Sequence, residues 1–459
     1  MTNKTMLTDE YQLTMMASYL DNNIDDKATF DMFIRGLPED WGYFIANGIE
    51  DAIDYATSIK FSKDDIDFLR SQGKYSEDFL DFLRGFRFNG EIYSVKEGEI
   101  VFPNQPVLRV TGSRTEAQFL ETAILNIINF QTMVASKANR VVNAAGESTV
   151  LDFGLRRAQG EDAGMEGARA AYIGGASGTS NVKAGKEYGI PTGGTQAHSY
   201  VMSFDDEADA FRAYAKTFPD RSVFLIDTYN TLEGAEKAAI VAKEMEKQGH
   251  RLVGVRLDSG DLEMLSKGVR DIFNSQGLGY VKIYASNDLN EYKIEDLVRN
   301  GAKIDAFGVG TEMITAKPVS AISGVYKLVE DTAGPKMKFS PGKESNPGKK
   351  QIYRISDEKG TFLYDVMALE SEKIEGRSLL EKVVENGYRI SQRRDLKEIR
   401  EYALDSVSRL PDSLKQVRVA DKYEVRKSEG LTSLIDELGE KYLQSLPFYS
   451  VVHPISINQ

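Results

Sequence analysis

Residues 223–288, VFLIDTYNTLEGAEKAAIVAKEMEKQGHRLVGVRLDSGDLEMLSKGVRDIFNSQGLGYVKIYASND, alternate short apolar runs with longer amphipathic stretches. VFLIDTY, LVGVRLDSGD and YVKIYASND each start β-branched or apolar and end polar. LEGAEKAAIVAKEMEKQG and LEMLSKGVRDIFNSQG, between them, place apolar residues three and four apart. The pattern is strand, helix, strand, helix, strand, and repeated β–α units imply parallel strands. It begins after Glu147 with TVLDFG, GGASGTSN and GGTQAHS, and runs on through KIDAFGVGT to GVYKLV. Seven or eight such units imply a barrel or a large doubly wound sheet. No GxGxxG follows the first run, and polar clusters are spread over many strand ends, so the barrel is favoured.

Upstream, Thr8 to about Tyr93 reads as mainly helical, in DEYQLTMMASYL, YFIANGIEDAIDYATS, KDDIDFLRSQ and SEDFLDFLRGF. GEIYSVKEGEIVFPNQPVLRVTG then breaks β-rich runs with EGE and PNQP, which predicts a meander. TEAQFLETAILNIINFQTMVASKANRVVNAA, free of Gly and Pro until Gly146, predicts one or two packed helices leading into the barrel. Downstream, GPKMKFSPGKESNPGKK at 334–350 packs three Gly, three Pro and five Lys into 17 residues and reads as a loop, a domain edge or a mobile flap. QIYRISDEKGTFLYDVMAL reads as a hairpin, and LKEIREYALDSVSRL and LTSLIDELGEKYLQSL as helices. The expected organisation is an N-terminal α+β domain over 1–135, a barrel over 136–369, and C-terminal segments from about 370 to 459 packing on the N-terminal domain.

Composition narrows the function. The 459 residues carry 57 Lys+Arg against 70 Asp+Glu, a net charge of −13, which argues against broad nucleic-acid binding. The absence of cysteine excludes disulfides, thiolate zinc sites, iron–sulfur clusters and a cysteine nucleophile. A three-histidine metal site would have to use all of His198, His250 and His453. No secretion signal and no apolar stretch of spanning length is visible, so the expected compartment is the cytoplasm, without a membrane partner.

Reactive groups in a parallel barrel lie where strands end. There the chain offers Asp152, Arg156, Arg157, Ser177 to Asn181, Thr195, His198, Asp227, Arg256, Asp258, Asp261, Ser286 to Asp288, and Gly308 to Thr311. Glycine-flanked amides and hydroxyls cradle phosphate, Arg pairs with oxyanions and Asp holds Mg²⁺, so the set suits a phosphorylated sugar with a divalent ion. Each element also has a plainer reading. The arginines could be structural ion-pair partners, the glycines turn residues, and Asp227 and Asp258 helix caps. His198 lies among Gly, Thr and Ser and is a poor core residue, whereas His250 and His453 read as surface residues.

The strings are specific enough to carry a resemblance. LTDEYQLTM at 7–15, QFLETAILNIINFQT with SKANR at 118–140, LDFGLRRAQG at 151–160, GGASGTSN at 174–181 and GTQAHSY at 194–200 are joined by LIDTYNT at 225–231 and GVRLDSGDL at 254–262. ASNDLNE at 285–291, DAFGVGTEM at 305–313 and KPVSAISGVYKL at 317–328 follow in order. Together they resemble nicotinate phosphoribosyltransferase. The resemblance implies an irregular α/β barrel with an N-terminal α+β domain partly completed by C-terminal segments. It implies formation of nicotinate mononucleotide and diphosphate from nicotinate and 5-phosphoribosyl 1-diphosphate, with Mg²⁺ and coupled hydrolysis of ATP, in NAD salvage.

By the same resemblance His198 is phosphorylated by ATP, and Tyr11, from a neighbouring subunit of a homodimer, stacks on the pyridine ring. Thr195 and Arg256 belong to the nicotinate site, with Arg157 a further candidate there and a catalytic one. Arg156, Ser286, Asn287, Gly308, Gly310 and Thr311 belong to the donor, the last five at its 5-phosphate end. Asp258 and Asp261 face the ribose hydroxyls or Mg²⁺, with Asp258 both a catalytic residue and the metal ligand. Two alternatives stay open: a sister enzyme using nicotinamide or quinolinate, and a non-catalytic metabolite-binding barrel.

Overall fold

The structure is a computed structural model that describes residues 3–340 and 342–444. Six parallel strands form one sheet in the order Gly178–Thr179, Thr149–Asp152, Ala306–Val309, Lys282–Ala285, Gly254–Leu257, Val223–Leu225. Helices Glu161–Ile173, Thr231–Lys247, Leu262–Ser275 and Glu291–Arg299 alternate with these strands. The caps are local chemistry. Asn230, Asp261 and Asn290 each turn a side-chain oxygen onto amides of the following first turn. Helix Thr231–Lys247 buries Ala235, Ala238, Ala239 and Ala242, a small-residue face that allows close approach to the sheet.

The sheet has fewer strands than the seven or eight read from the sequence. GGASGTSN contributes only the two-residue strand Gly178–Thr179, and GGTQAHS contributes none. Both are too rich in glycine and small residues to hold a pleated strand. The edge strands Gly178–Thr179 and Val223–Leu225 do not pair with each other, and the chain between them spans the gap. Thr192 bridges to Thr179, and the Leu225 amide donates to Gln196 Oε1 at 3.2 Å. The barrel is thus irregular at a seam closed partly by a side chain.

A seven-stranded antiparallel sheet forms the other half, ordered Gly334–Pro335, Gly324–Asp331, Lys27–Ile34, Pro106–Ser113, Glu91–Ser94, Glu381–Glu385, Tyr388–Arg389. Its two last strands come from the C-terminal part of the chain and complete it beside Glu91–Ser94. The meander is as read, and two other features differ. Strand Lys27–Ile34 falls within the stretch read as mainly helical; all but its first residue are buried, so no period-two alternation marks it. GVYKLV, read as following the barrel series, pairs with that strand instead, so the barrel ends well before 369. A third sheet, Arg377–Ser378, Lys350–Ser356, Phe362–Leu369 and Val425–Lys427, contains the expected hairpin.

The predicted long amphipathic stretch is two helices, Arg114–Phe119 and Glu121–Ala145. The second, with sixteen buried residues, feeds both cores: Ile124 and Ile128 into the antiparallel one, Val134 and Ala138 into the barrel. Polar contacts bind the halves together. Arg169, on barrel helix Glu161–Ile173, pairs with Glu97 and donates to Asn47 Oδ1 and Gln131 Oε1, both at 2.9 Å. The Gln131 amide donates to Asp51 and to Glu166, each at 2.8 Å.

The 334–350 segment is held rather than free at its C-terminal stem. Buried Lys350 donates to the carbonyls of Asn346 and Pro347 at 2.7 and 3.3 Å and lies 2.9 Å from Asp31. No helix among the described residues is long and apolar enough to cross a membrane.

Candidate active site

The carboxyl ends of adjacent strands carry Asp227 and Thr228, then Asp258, Ser286, Gly310, and the turn Leu155–Arg157. His198 opens the short helix His198–Val201 beyond the seam segment and is pointed at the first two strand ends. Its Nε2 lies 3.7 Å from Asp258 Oδ2 and 4.0 Å from Asp227 Oδ1, and its Nδ1 is 3.2 Å from the Thr228 hydroxyl. The imidazole is 40 % exposed, so a reactant can reach it.

Asp227 and Asp258 are not helix caps; that task falls to Asn230 and Asp261. Buried Asp227 receives the Asp258 amide at 3.0 Å and the Ser259 hydroxyl at 2.5 Å on Oδ2, while Oδ1 is buried without a hydrogen bond. Asp258 accepts the Ser286 hydroxyl on Oδ1 and keeps Oδ2 toward His198. Asp261 gives Oδ1 to the Met264 amide at 3.0 Å, leaving one oxygen for any ligand.

Arg256 lies in strand Gly254–Leu257, with Nη2 3.3 Å from the Gln196 carbonyl and Nε buried without a partner among the described residues. Burial pulls its pKa below the usual arginine value, and Asp258 and Asp227 offset only part of that. Arg156 lies close enough to add repulsion, although two strands separate Gly254–Leu257 from Thr149–Asp152 in the sheet, which shows the sheet curling. Arg156 and Arg157 are exposed and make no ion pair among the described residues. Such unneutralised cations suit an incoming anion better than a structural role.

Other expected residues are placed less directly. Asp152 is structural, accepting the Gly154 amide at 2.8 Å and the Thr179 hydroxyl at 2.7 Å. Gly308 is a packing glycine: a Cβ there would come within 2.5 Å of the Phe153 ring. Gly310 and Thr311 open the turn Thr311–Ile314 on the next strand end, and Thr195 precedes Gln196 in the seam. Asn287 and Asp288 hold φ of +113° and +43°, strained for non-glycine residues. Tyr11 is 46 % exposed on helix Glu10–Asp21, its hydroxyl donating to Glu121 at 3.2 Å, and among the described residues no hydrogen bond joins it to a rim residue of its own chain. His250 bonds Asp220 at the surface, and His453 lies outside the described residues.

Sequence reasoning overlooked Thr228, Ser259 and Gln196. The first two adjoin Asp227 and Asp258, and adjacency at a strand end was the available signal. Gln196 carried none.

For a divalent cation, no group of three His, Asp or Glu side chains among the described residues could hold a metal alone. The Asp258 carboxylate and the unbonded Asp227 Oδ1 match Mg²⁺, which takes one or two carboxylates and completes its shell with water and substrate phosphates.

A curled parallel sheet with a polar cluster gathered at its strand ends defines an α/β-barrel enzyme class acting on small molecules. The chain matches family models described as the nicotinate phosphoribosyltransferase N-terminal domain over 6–129, the nicotinate phosphoribosyltransferase family over 148–347, and the C-terminal domain over 374–435. It is 41% identical to a nicotinate phosphoribosyltransferase of Bacillus subtilis, with 92% of each chain covered. It is 40% identical to one of Mycobacterium tuberculosis, covering 90% of this chain and 89% of that one. The crystal structure of human nicotinic acid phosphoribosyltransferase superposes with a TM-score of 0.83 at 29% identity, covering 94% and 99% of the two chains. The chain belongs to the nicotinate phosphoribosyltransferase family.

Proposed function

We propose that the protein joins nicotinate to 5-phosphoribosyl 1-diphosphate, giving nicotinate mononucleotide and diphosphate, and couples this to ATP hydrolysis through a phosphohistidine at His198. The carrying observation is the His198 environment: one ring nitrogen faces two carboxylates, the other a hydroxyl, and the ring is open to solvent. Asp258 and Asp227 favour the proton on Nε2, which leaves the Nδ1 lone pair as nucleophile once the Thr228 hydroxyl, 3.2 Å away, releases it to the incoming phosphate. Attack on the γ-phosphorus forms the N–P bond as the bond to ADP breaks. Later attack by water on the phosphohistidine returns the imidazole and releases phosphate.

In the transfer itself the pyridine nitrogen attacks C1 of the ribose and diphosphate leaves with its bonding pair. The nitrogen is already nucleophilic, so no general base is required and positioning is the main task. Arg256, half-buried and only partly offset by Asp258 and Asp227, pairs with the nicotinate carboxylate beside Thr195. Asp258, with the remaining oxygen of Asp261, faces the ribose hydroxyls and the positive charge that develops at C1. Ser286, Asn287, Gly310 and Thr311 take the 5-phosphate, with Gly308 keeping the strand flat against Phe153, and Arg156 and Arg157 face the diphosphate end. Asp258 with Asp227 would hold Mg²⁺, which would supply neutralisation of the diphosphate leaving group. The exposed Tyr11 ring is offered to the site of a partner in a homodimer.

Incubation with ATP labelled in its γ-phosphate tests the coupling. The expected result is an acid-labile label on His198, absent from His198→Ala, which keeps slow transfer but loses ATP stimulation. Full ATP stimulation in that variant would overturn the phosphohistidine.

A further inference from the structure

Two buried cations in SKANR, residues 136–140, have no task in the reaction just described. Lys137 and Arg140 stand three residues apart on helix Glu121–Ala145, and both meet the carboxylate of Glu291, itself 1% exposed. Lys137 Nζ pairs with Oε2, and Arg140 Nε lies 3.2 Å from Oε1. Arg140 turns its other nitrogens away, to the carbonyls of Asp40 and Val417, and so joins the N-terminal and C-terminal parts of the chain. Lys137 does something different: its ammonium also donates to the Lys317 carbonyl at 2.7 Å.

Those two partners end two neighbouring loops. Glu291 begins helix Glu291–Arg299 directly after the loop 286–290, which leaves strand Lys282–Ala285. Lys317 ends the segment 310–317, which leaves the adjacent strand Ala306–Val309. Both loops contain left-handed non-glycine residues, Asn287 and Asp288 in one and Ala316 at φ +51° in the other. Torsions of that kind persist only where surrounding contacts over-determine them. A buried ion pair adds little net stability over apolar packing. What this one adds is a fixed separation, because a single ammonium contacts both loops from one point on a rigid helix.

We propose that Lys137, with Glu291 as its counter-ion, is a positioning residue for the donor's 5-phosphate: it sets the gap between loops 286–290 and 310–317. The proposal rests on the donor reading above. It makes SKANR and the glutamate of ASNDLNE two ends of one device, separated by 154 residues in sequence.

The test measures ribose 5-phosphate binding by calorimetry, and KM for donor and for nicotinate, on the full protein and on Lys137→Met, Glu291→Gln and the double variant Lys137→Met/Glu291→Leu. The double variant also takes Glu291 from Arg140, so Lys137→Met, which keeps the Arg140–Glu291 pair, is the variant that retains the fold while leaving the Lys317 carbonyl unheld. The expected result is ribose 5-phosphate affinity weakened ~10-fold or more, donor KM raised in parallel, and nicotinate KM within about twofold of the parent. Unchanged ribose 5-phosphate binding, or donor and nicotinate KM rising together, would overturn it. On the unaltered protein, ribose 5-phosphate should slow amide hydrogen exchange in both loops together; protection of one loop alone also overturns it. If the unaltered protein binds neither ribose 5-phosphate nor the donor, the donor reading fails instead, so the two failures are distinct.

Discussion

Arg354, buried in the third sheet, and Arg256, half-buried in the barrel, have opposite surroundings. Arg354 gives Nε and Nη2 to Asp365 at 2.9 and 2.8 Å, Nη1 to Glu99 at 2.7 Å, and Nη2 also to the Ile100 carbonyl at 2.8 Å. Burial pulls its pKa down, but Asp365 and Glu99 more than restore it and the net shift is upward. Arg256 has a single long bond to a carbonyl, an unpartnered Nε and a net downward shift, with burial the largest cause. The first arginine is satisfied by its own chain and the second is held short of satisfaction. A largely desolvated charge left short of partners costs stability, and the cost is recovered when a ligand supplies the missing acceptor.

The widest separation between the two comes from removing each. Arg354→Met leaves Asp365 and Glu99 buried beside an apolar group and should cost about 3–5 kcal/mol in denaturant unfolding, with activity per folded molecule unchanged. Arg256→Ala should barely move the unfolding midpoint and should lower kcat/KM for nicotinate ~100-fold, with a far smaller loss for any residual nicotinamide activity. Equal losses for both pyridines would make Arg256 a donor or structural residue and erase the contrast.

A smaller effect is expected at the junction of the two halves. Burial, then the nearby Asp51 carboxylate, pushes the Glu166 pKa up to about 7, while Arg169 and Lys4 oppose the shift. The unfolded carboxyl titrates near 4.5, so between about pH 4.5 and 7 the folded state binds more protons and stability falls as pH rises. Glu166→Gln should remove that slope and raise stability at pH 8 by on the order of 2 kcal/mol, read as the pH dependence of the unfolding midpoint. A parallel slope in variant and parent would show that the shared Gln131 amide does not join two competing carboxyls.

The barrel was legible because its helices are amphipathic and its strands β-branched, and the meander because its turns carry Gly, Pro and Asn. Strand Lys27–Ile34 was not, since burial on both faces removes the alternation that marks a strand. The destination of GVYKLV was not, because pairing partners 290 to 298 residues apart leave no local mark. At the rim, residue type and strand-end position brought out His198, Arg256, Asp258 and Ser286. They did not separate Asp258, which faces His198, from Asp261, which caps a helix: both are aspartates just beyond the same strand. The Lys137–Glu291 pair was invisible for the same reason as the strand pairing, being a contact between distant segments.

The most direct measurement supplies the purified protein with Mg²⁺ and 5-phosphoribosyl 1-diphosphate, offers nicotinate, nicotinamide or quinolinate separately with and without ATP, and quantifies mononucleotide and diphosphate. The expected result is equimolar nicotinate mononucleotide and diphosphate, stimulated by ATP, with little product from the other two. Product from nicotinamide in preference would contradict the role given to Arg256, product from quinolinate in preference would contradict nicotinate as the substrate, and none from any of the three would contradict the transfer reaction itself.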